Sequence, residues 1–227
     1  MVKLRDKKGS VNALKASRIG IFSALYAITS LVPISMFIGA SSFLALNLVI
    51  TPVIAILLSP MEALFTALFG GIIAFYFAPM QAIFGPYTIL LPVAGATFGS
   101  LTYHKSKIGA SISSLYLIAT ISAYLIKNFP FPYFIIPHSL AIFLALTSSL
   151  KLMIPLHIKI PMYTYVSTIC EQGMMMVLAV HLLGLPWQIF PGILPLMVYE
   201  RIIGTIGASF IVFGVLRFAP YFRIINN

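Results

Sequence analysis

Acidic residues are scarce in this chain of 227 residues, which has four Asp and Glu in total and 8% charged residues of both signs, against about a quarter in globular proteins. Three of the four, Glu62, Glu171 and Glu200, lie inside apolar stretches. An enzyme active site needs organised acids, bases, nucleophiles or metal ligands. The sequence has no HExxH, GxSxG or Walker motif and no paired Asp. We therefore expect no catalytic residues, no metal site and no cofactor, and we predict that the protein is not an enzyme.

Cysteine is almost absent as well. Cys170 is the only one, which excludes an intramolecular disulfide and a thiolate metal cluster. It lies in an apolar run, where the ordinary interpretation is a small buried hydrophobe. The formal charge of +10 does not indicate a nucleic-acid partner, because the basic residues lie at the ends of the apolar runs and form no patch.

Apolar sequence is what the chain has in abundance. Hydrophobic residues make up 60% of it, in eight nearly uninterrupted stretches. Backbone polar groups in a bilayer must be satisfied internally, and long runs without period-two alternation favour helices over a barrel. A spanning helix needs about 20 residues, so we predict an all-α polytopic membrane protein with six to eight transmembrane helices. The expected spans are 19–38, 42–58, 61–78, 84–103, 108–126, 133–152, 161–184 and 190–216.

The basic residues predict the orientation of these spans. With a cytoplasmic N-terminus, Lys127 alone among the loop residues falls outside. The loop and tail residues on the inner side are then Lys105, Lys107, Lys151, Lys159, Arg217 and Arg223. This asymmetry is expected from the positive-inside rule, and it favours an even number of crossings with both termini cytoplasmic. Six crossings plus a re-entrant hairpin or an interfacial segment is the alternative to eight.

The same pattern divides the chain into three parts. Residues 1–18 are expected to form a basic cytoplasmic tail that touches anionic membrane lipid. Residues 19–217 form a single transmembrane helical domain, and residues 218–227 form a cytoplasmic C-terminal tail.

Five segments resemble the S component, the substrate-binding membrane subunit, of energy-coupling factor transporters. They are a first helix with small residues four apart (GIFSALYA), a short helix ending in a Ser-Pro turn (LNLVITPVIAILLSP), a Gly-rich helix (MEALFTALFGGIIAF), the segment APMQAIFGPYTILLPVAGATFGSLTYHK and, more loosely, the last span (PGILPLMVYERIIGTIGASFIVFGVLRF). The likeness covers about residues 18–105 well.

The resemblance implies capture of a vitamin, a vitamin precursor or another micronutrient at the outer face of the cell membrane. The substrate would be handed inward by toppling of the protein in the bilayer, while it is docked to a transmembrane coupling subunit and two ATPase subunits. In the family an AxxxA stripe on the first helix contacts the coupling subunit, and the matching positions here are Gly20, Ser23, Ala24 and Ala27. The family has six helices where eight apolar runs occur here, so no substrate identity follows.

Two carboxylates lie near the predicted midplane, Glu171 and Glu200, where an ionised group costs about 2.5 to 3.5 kcal/mol on insertion scales. One interpretation is a buried ion pair that joins the last two helices, between Glu171 and Arg201 or between Glu200 and Arg201 through a third group. Adjacent helix residues point in different directions, so direct pairing of Glu200 with Arg201 is not expected. The other interpretation is the polar floor of a ligand cavity or a proton site, to which Gln172 adds a hydrogen-bonding group.

Polar residues near the predicted outer surface complete the candidate site, because small-ligand pockets combine apolar walls with a few convergent polar groups. Trp187 would stack on a planar ligand, or it marks the membrane interface. The predicted substrate-binding residues are Asn47, Tyr87, His138, Glu171, Gln172, Trp187, Gln188 and Glu200. Glu62, by contrast, has the spacing of a capping box with Ser59, and we expect it to stabilise a helix start.

Three other classes stay open. Two histidine pairs, His138 with His181 and His104 with His157, have the placement of axial ligands in a haem-bearing respiratory subunit. A proton-coupled secondary transporter would use Glu171 or Glu200 as its proton carrier, although such proteins usually contain two inverted repeats and no self-similarity is visible. An accessory subunit would pair its polar residues internally and have no outward-facing cavity.

Overall fold

The computed structural model describes residues 2–36, 43–150 and 154–218. The predicted inner-side residues Lys151 and Arg223, and residues 219–227 of the predicted C-terminal tail, lie outside the described residues. Within the described ranges there are eight α-helices: α1 Val2–Thr29, α2 Asn47–Leu57, α3 Pro60–Phe77, α4 Leu90–His104, α5 Ser106–Asn128, α6 Ile136–Ser149, α7 Leu156–His181 and α8 Phe190–Phe218. Each helix overlaps one predicted span, so the order of the helices is confirmed.

The predicted boundary between the first two spans is wrong. The first span was expected to reach residue 38, but α1 ends at Thr29, and β1 (Pro33–Met36) pairs antiparallel with β2 (Phe43–Ala45). Proline removes a helical hydrogen bond and disfavours the helical conformation of the residue before it. The hydroxyls of Thr29 and Ser30 donate to the carbonyl of Tyr26 at 2.9 Å each. These bonds satisfy a terminal acceptor and help to end the helix.

The turn between α2 and α3 forms as the sequence predicts. Ser59 precedes Pro60, the first residue of α3, and both the backbone N–H and the hydroxyl of Ser59 donate to Glu62 Oε2, at 3.1 and 2.6 Å. Arg18 Nη1 lies 3.9 Å from Glu62 Oε1. Glu62 therefore ties the start of α3 to α1, and the capping-box prediction is confirmed.

The centre of the bundle is α4, which contacts α2, α3, α5 and α7. Its glycines allow the close approach to α7. A Cβ placed on Gly99 would lie 2.5 Å from the Cβ of Ser167, and one on Gly95 would lie 2.9 Å from the Cβ of Glu171. Glycines at helix interfaces bring backbones together in this way. The position of Glu171 in the bundle thus depends on the absence of a side chain at Gly95.

The outer surface of the helices is apolar. Four helical stretches are long and apolar enough to cross a membrane, and between 33% and 39% of their residues are buried inside the protein. These stretches are Pro60–Phe77, Lys107–Asn128, Pro132–Ser149 and Trp187–Phe218. Helices that expose this much apolar surface need lipid around them, so the chain is a helical membrane protein.

Candidate ligand-binding cavity

A cavity of about 420 Å³ lies between α1, the start of α2, the segment before α4, the middle of α7 and the first half of α8. We call it the Glu171 cavity. Its volume falls in the range of small-molecule sites, about 300 to 1,000 Å³. The polar residues that line it are Tyr26, Asn47, Gln81, Thr88, Glu171, Gln172, Glu200 and Arg201. The rest of the wall is mostly apolar, with Leu48, Met175 and Met197 among its residues.

The middle of α7 supplies two polar groups with unused hydrogen-bonding capacity. Glu171 and Gln172 are 7% and 3% exposed, and Glu171 Oε2 and Gln172 Oε1 have no hydrogen-bond partner in the described part of the chain. Buried polar atoms are satisfied in the great majority of cases, so two unpartnered acceptors on residues that line a cavity indicate a missing donor.

Arg201 on α8 is almost fully buried and already engaged. Its Nη1 donates to the carbonyl of Thr168 at 3.2 Å, and its Nη2 lies 3.6 Å from Glu200 Oε2. The prediction that these adjacent residues do not pair directly is wrong, because their long side chains bend toward each other although their Cβ atoms diverge. Among the described residues, no ion pair joins Glu171 to Arg201, so that predicted bridge is wrong too. Arg201 Nε has no partner in the described structure.

One edge of the cavity is formed by a polar network. The side-chain amide of Asn47 lies 3.0 Å from Ser30 Oγ, 3.2 Å from the Tyr26 hydroxyl and 3.3 Å from Gln81 Oε1. The side-chain amide of Gln81 in turn donates to the carbonyl of Ser30. These bonds connect α1, α2 and the short 3₁₀ turn Pro79–Gln81, and they fix the cavity wall where three separate segments meet.

No protein-family model, curated protein or solved structure matches this chain.

The structure brings together half of the predicted substrate-binding residues. Asn47, Glu171, Gln172 and Glu200 all line the Glu171 cavity. The other four are not among its lining residues. Tyr87 is 52% exposed, Trp187 is 37% exposed and Gln188 is also exposed. His138 is fully buried beside the ring of Phe134, 6.3 Å away between ring centroids.

Several lining residues were missing from the predicted site. Gln81, a polar residue near the predicted outer surface, was not among the predicted binding residues, and Arg201 was expected only as an ion-pair partner. Tyr26 could have been found from its position on the helix turn just before the Pro33 break. The apolar lining residues Met175 and Met197 carry no signal of their own in an apolar sequence, because only tertiary packing selects them.

The predicted docking stripe on α1 divides between two faces. Ser23 and Ala27 are buried, at 3% and 5% exposure, and the Ser23 hydroxyl donates to the carbonyl of Thr66 on α3 at 3.1 Å. Gly20 and Ala24 are exposed. Ser23 and Ala27 are thus already covered by this chain, and a docking role for Gly20 and Ala24 stays a prediction.

The histidines of the haem alternative lie in different surroundings. His138 is buried in α6, whereas His181 is exposed and its Nε2 lies 2.9 Å from the carbonyl of Ala123. His104 is half-buried at the end of α4, and His157 is exposed near the start of α7. In the part of the chain that is described, no three His, Cys, Asp or Glu side chains come together as a metal site.

A second cavity, of about 200 Å³, lies between α7 and α8 and is lined by Pro161, Thr205, Ile206, Ser209, Phe210 and Phe213. Its polar side chains are already satisfied. The Thr205 hydroxyl donates to the carbonyl of Arg201, and the Ser209 hydroxyl donates to the carbonyl of Thr205, both at 2.7 Å. This cavity has apolar walls without free polar groups, so the Glu171 cavity is the better candidate for specific binding.

Proposed function

We propose that this protein is the substrate-capturing membrane component of an uptake transporter of the energy-coupling factor type, in the cell membrane. The observation that carries the proposal is the Glu171 cavity, which combines apolar walls with buried, unpartnered polar atoms from α7. A protein that only packs against other subunits has no need for such atoms, because each costs about 1 to 3 kcal/mol when it is left unsatisfied.

The position of the cavity also supports capture from one side. Apart from three residues in the middle of α7, the residues that line it come from the end of α1, the end of β2, the start of α2, the segment leading into α4, the start of α4 and the first half of α8. With both termini cytoplasmic, all of these lie in the outer half of the bundle. The proposed topology has multiple crossings, and the four long apolar helices supply part of them.

Energy and delivery are proposed to come from other chains. The helices leave no room for a nucleotide-binding domain among the described residues, and the sequence has no Walker motif. The proposed partners are a transmembrane coupling subunit and two ATPase subunits, with a vitamin, vitamin precursor or other micronutrient as substrate. The exposed side of α1, where Gly20 and Ala24 lie together with Ile21 and Ile28, is the proposed contact with the coupling subunit.

Copurification tests this function. The tagged chain, extracted from its native membrane in mild detergent, is expected to bring down one polytopic coupling protein and a pair of ATPases. Substitution Ala24→Leu should abolish that association and leave folding and ligand binding intact, because the side chain is exposed. The matched control Ala119→Leu makes the same change at an exposed position of α5 and should retain the partners.

Other results would assign the protein elsewhere. A Soret band in the purified protein would favour the haem-bearing subunit, and proton-driven uptake by the chain alone in liposomes would favour the secondary transporter. Copurification of a large complex without ATPases would favour the accessory subunit.

A further inference from the structure

The charges that line the Glu171 cavity do not balance. Glu171, Glu200 and Arg201 are the charged residues among those that line it. Arg201 is committed to Glu200, at 3.6 Å, and to the carbonyl of Thr168. Within the described residues, Glu171 has no basic group within 4.0 Å. Glu171 is therefore a buried carboxylate without an ion pair in the described structure.

The fully buried side-chain atoms of the described residues that line the cavity also include more unpartnered acceptors than unpartnered donors. The unpartnered atoms of Glu171 and Gln172 are both acceptor oxygens, and they belong to neighbouring residues on α7. The side-chain amides of Asn47 and Gln81 are used as donors within the network at the edge of the cavity. Among the fully buried side-chain atoms of the described lining residues, two acceptors and one donor, Arg201 Nε, have no partner.

We infer that the Glu171 cavity binds a small organic cation, whose N–H groups donate to Glu171 and Gln172 and whose apolar body lies against Leu48, Met175 and Met197. The inference rests on the proposed capture of a small molecule and names its chemical class. A buried charge is stable only when it is paired and hydrogen-bonded. A cation with N–H donors supplies both the pairing and the hydrogen bonds.

Other ligand charges fit the cavity poorly. An anion would meet two carboxylates and a guanidinium that is already paired, and like charges at a binding site oppose association. A neutral amide would satisfy the acceptors but would form no ion pair with Glu171. Charge-assisted hydrogen bonds are about twice as strong as neutral ones, so the cation is expected to bind more tightly than a neutral molecule of the same shape.

A series of three probes of one shape tests the inference. The affinities of the purified full chain for 2-naphthamidine, 2-naphthamide and 2-naphthoate are measured by isothermal titration calorimetry in detergent. The amidine is expected to bind at least about tenfold more tightly than the amide, and the carboxylate is expected to bind most weakly. This comparison needs no variant, so it does not depend on whether a substitution folds.

The variant Glu171→Gln locates the effect. It keeps the size of the side chain and removes its charge, so the affinity for 2-naphthamidine should fall by about tenfold or more, while the affinity for 2-naphthamide stays the same. The matched control Glu62→Gln makes the same change outside the cavity, in a carboxylate that contacts Ser59 and Arg18. It should leave the amidine affinity unchanged.

Three results would overturn the cation assignment: equal affinity for the amidine and the amide, tighter binding of the carboxylate, or no binding of any probe at millimolar concentration. Retention of amidine affinity in Glu171→Gln would overturn the role of that residue in it. The copurification experiment is independent of all of these. If the cation assignment fails and the ATPases copurify, the transporter proposal stands. If the amidine binds as expected and no ATPases copurify, only the transporter proposal fails.

Discussion

The two halves of α7 use polar residues in opposite ways. In the first half, the Thr164 hydroxyl lies 3.1 Å from the carbonyl of Ile160 and 3.0 Å from Ser209 Oγ, and the Ser167 hydroxyl donates to the carbonyl of Gly95 at 2.9 Å. In the second half, Glu171 and Gln172 keep unpartnered oxygens beside a cavity. Short hydroxyl side chains thus join helices, whereas the longer acidic and amide side chains are left available. The first half is expected to set stability and the second half to set binding.

The largest expected effect on stability is where α4 packs closely against the first half of α7. In the variant Gly99→Val, the new Cβ would lie 2.5 Å from the Cβ of Ser167 and 2.9 Å from the Cβ of Ala55. Overpacking of this kind costs about 1 to 3 kcal/mol, and the rigid neighbours place this variant at the upper end. The free energy of unfolding, from denaturant titration in mixed micelles, should fall by about 3 kcal/mol. Gly214→Ala is the control, because an added Cβ there meets nothing within 4 Å. Its free energy of unfolding should not fall.

The next effect has the opposite sign and lies in the second half. The variant Glu171→Gln removes a buried charge without a counter-charge, so the ligand-free protein should become more stable by about 1 to 2 kcal/mol. The same titration measures this change. A loss of stability would show that the carboxylate serves the fold, and the contrast between the two halves of α7 would then be wrong.

A smaller effect tests the hydroxyl contacts of the first half. Thr164→Val keeps the shape of the side chain and removes the hydroxyl that bonds to Ile160 and Ser209, so stability should fall by about 1 kcal/mol. Binding of 2-naphthamidine should be unchanged, because Thr164 is not among the residues that line the Glu171 cavity. Reduced binding at unchanged stability would contradict the division between the halves.

The smallest effect is expected on the exposed face of α1. Ala24→Leu should change the free energy of unfolding by no more than about 0.5 kcal/mol, as surface substitutions usually do. Ala27→Leu, only three residues along the helix, should destabilise the protein because Ala27 is buried. Equal stability of the two variants, measured by thermal unfolding, would show that the two faces of α1 do not differ as described.

Much of the helical architecture could be predicted from the sequence. α3 begins at Pro60 where the span was expected from 61, and α5 covers Ser106–Asn128 where 108–126 was expected. These boundaries follow from proline, serine and basic residues at the ends of apolar runs. The hairpin at Pro33–Met36 and Phe43–Ala45 was missed, because an apolar run that contains one proline has the same hydropathy whether it continues as a helix or turns back.

The candidate site was predictable only where a polar residue interrupts an apolar helix. Glu171, Gln172 and Glu200 stand out in that way, and the structure places all three on one cavity. Tyr87 and Trp187 were expected there because they lie near the predicted outer surface, but depth does not determine the direction in which a side chain points. The partners of Arg201 were also missed, because the bending of long side chains cannot be deduced from helical spacing.

The central claim is that the Glu171 cavity holds a small molecule. Its most direct test is intact-protein mass spectrometry of the detergent-purified wild type and of a variant in which a larger side chain fills the cavity. In the variant Leu196→Trp, a large side chain is placed on the cavity wall at a half-buried position of α8. The wild type is expected to carry a bound small molecule, and Leu196→Trp is expected to fold with a similar thermal midpoint and to carry none. Wild-type protein free of any small molecule, or the same adduct on both proteins, would contradict the account.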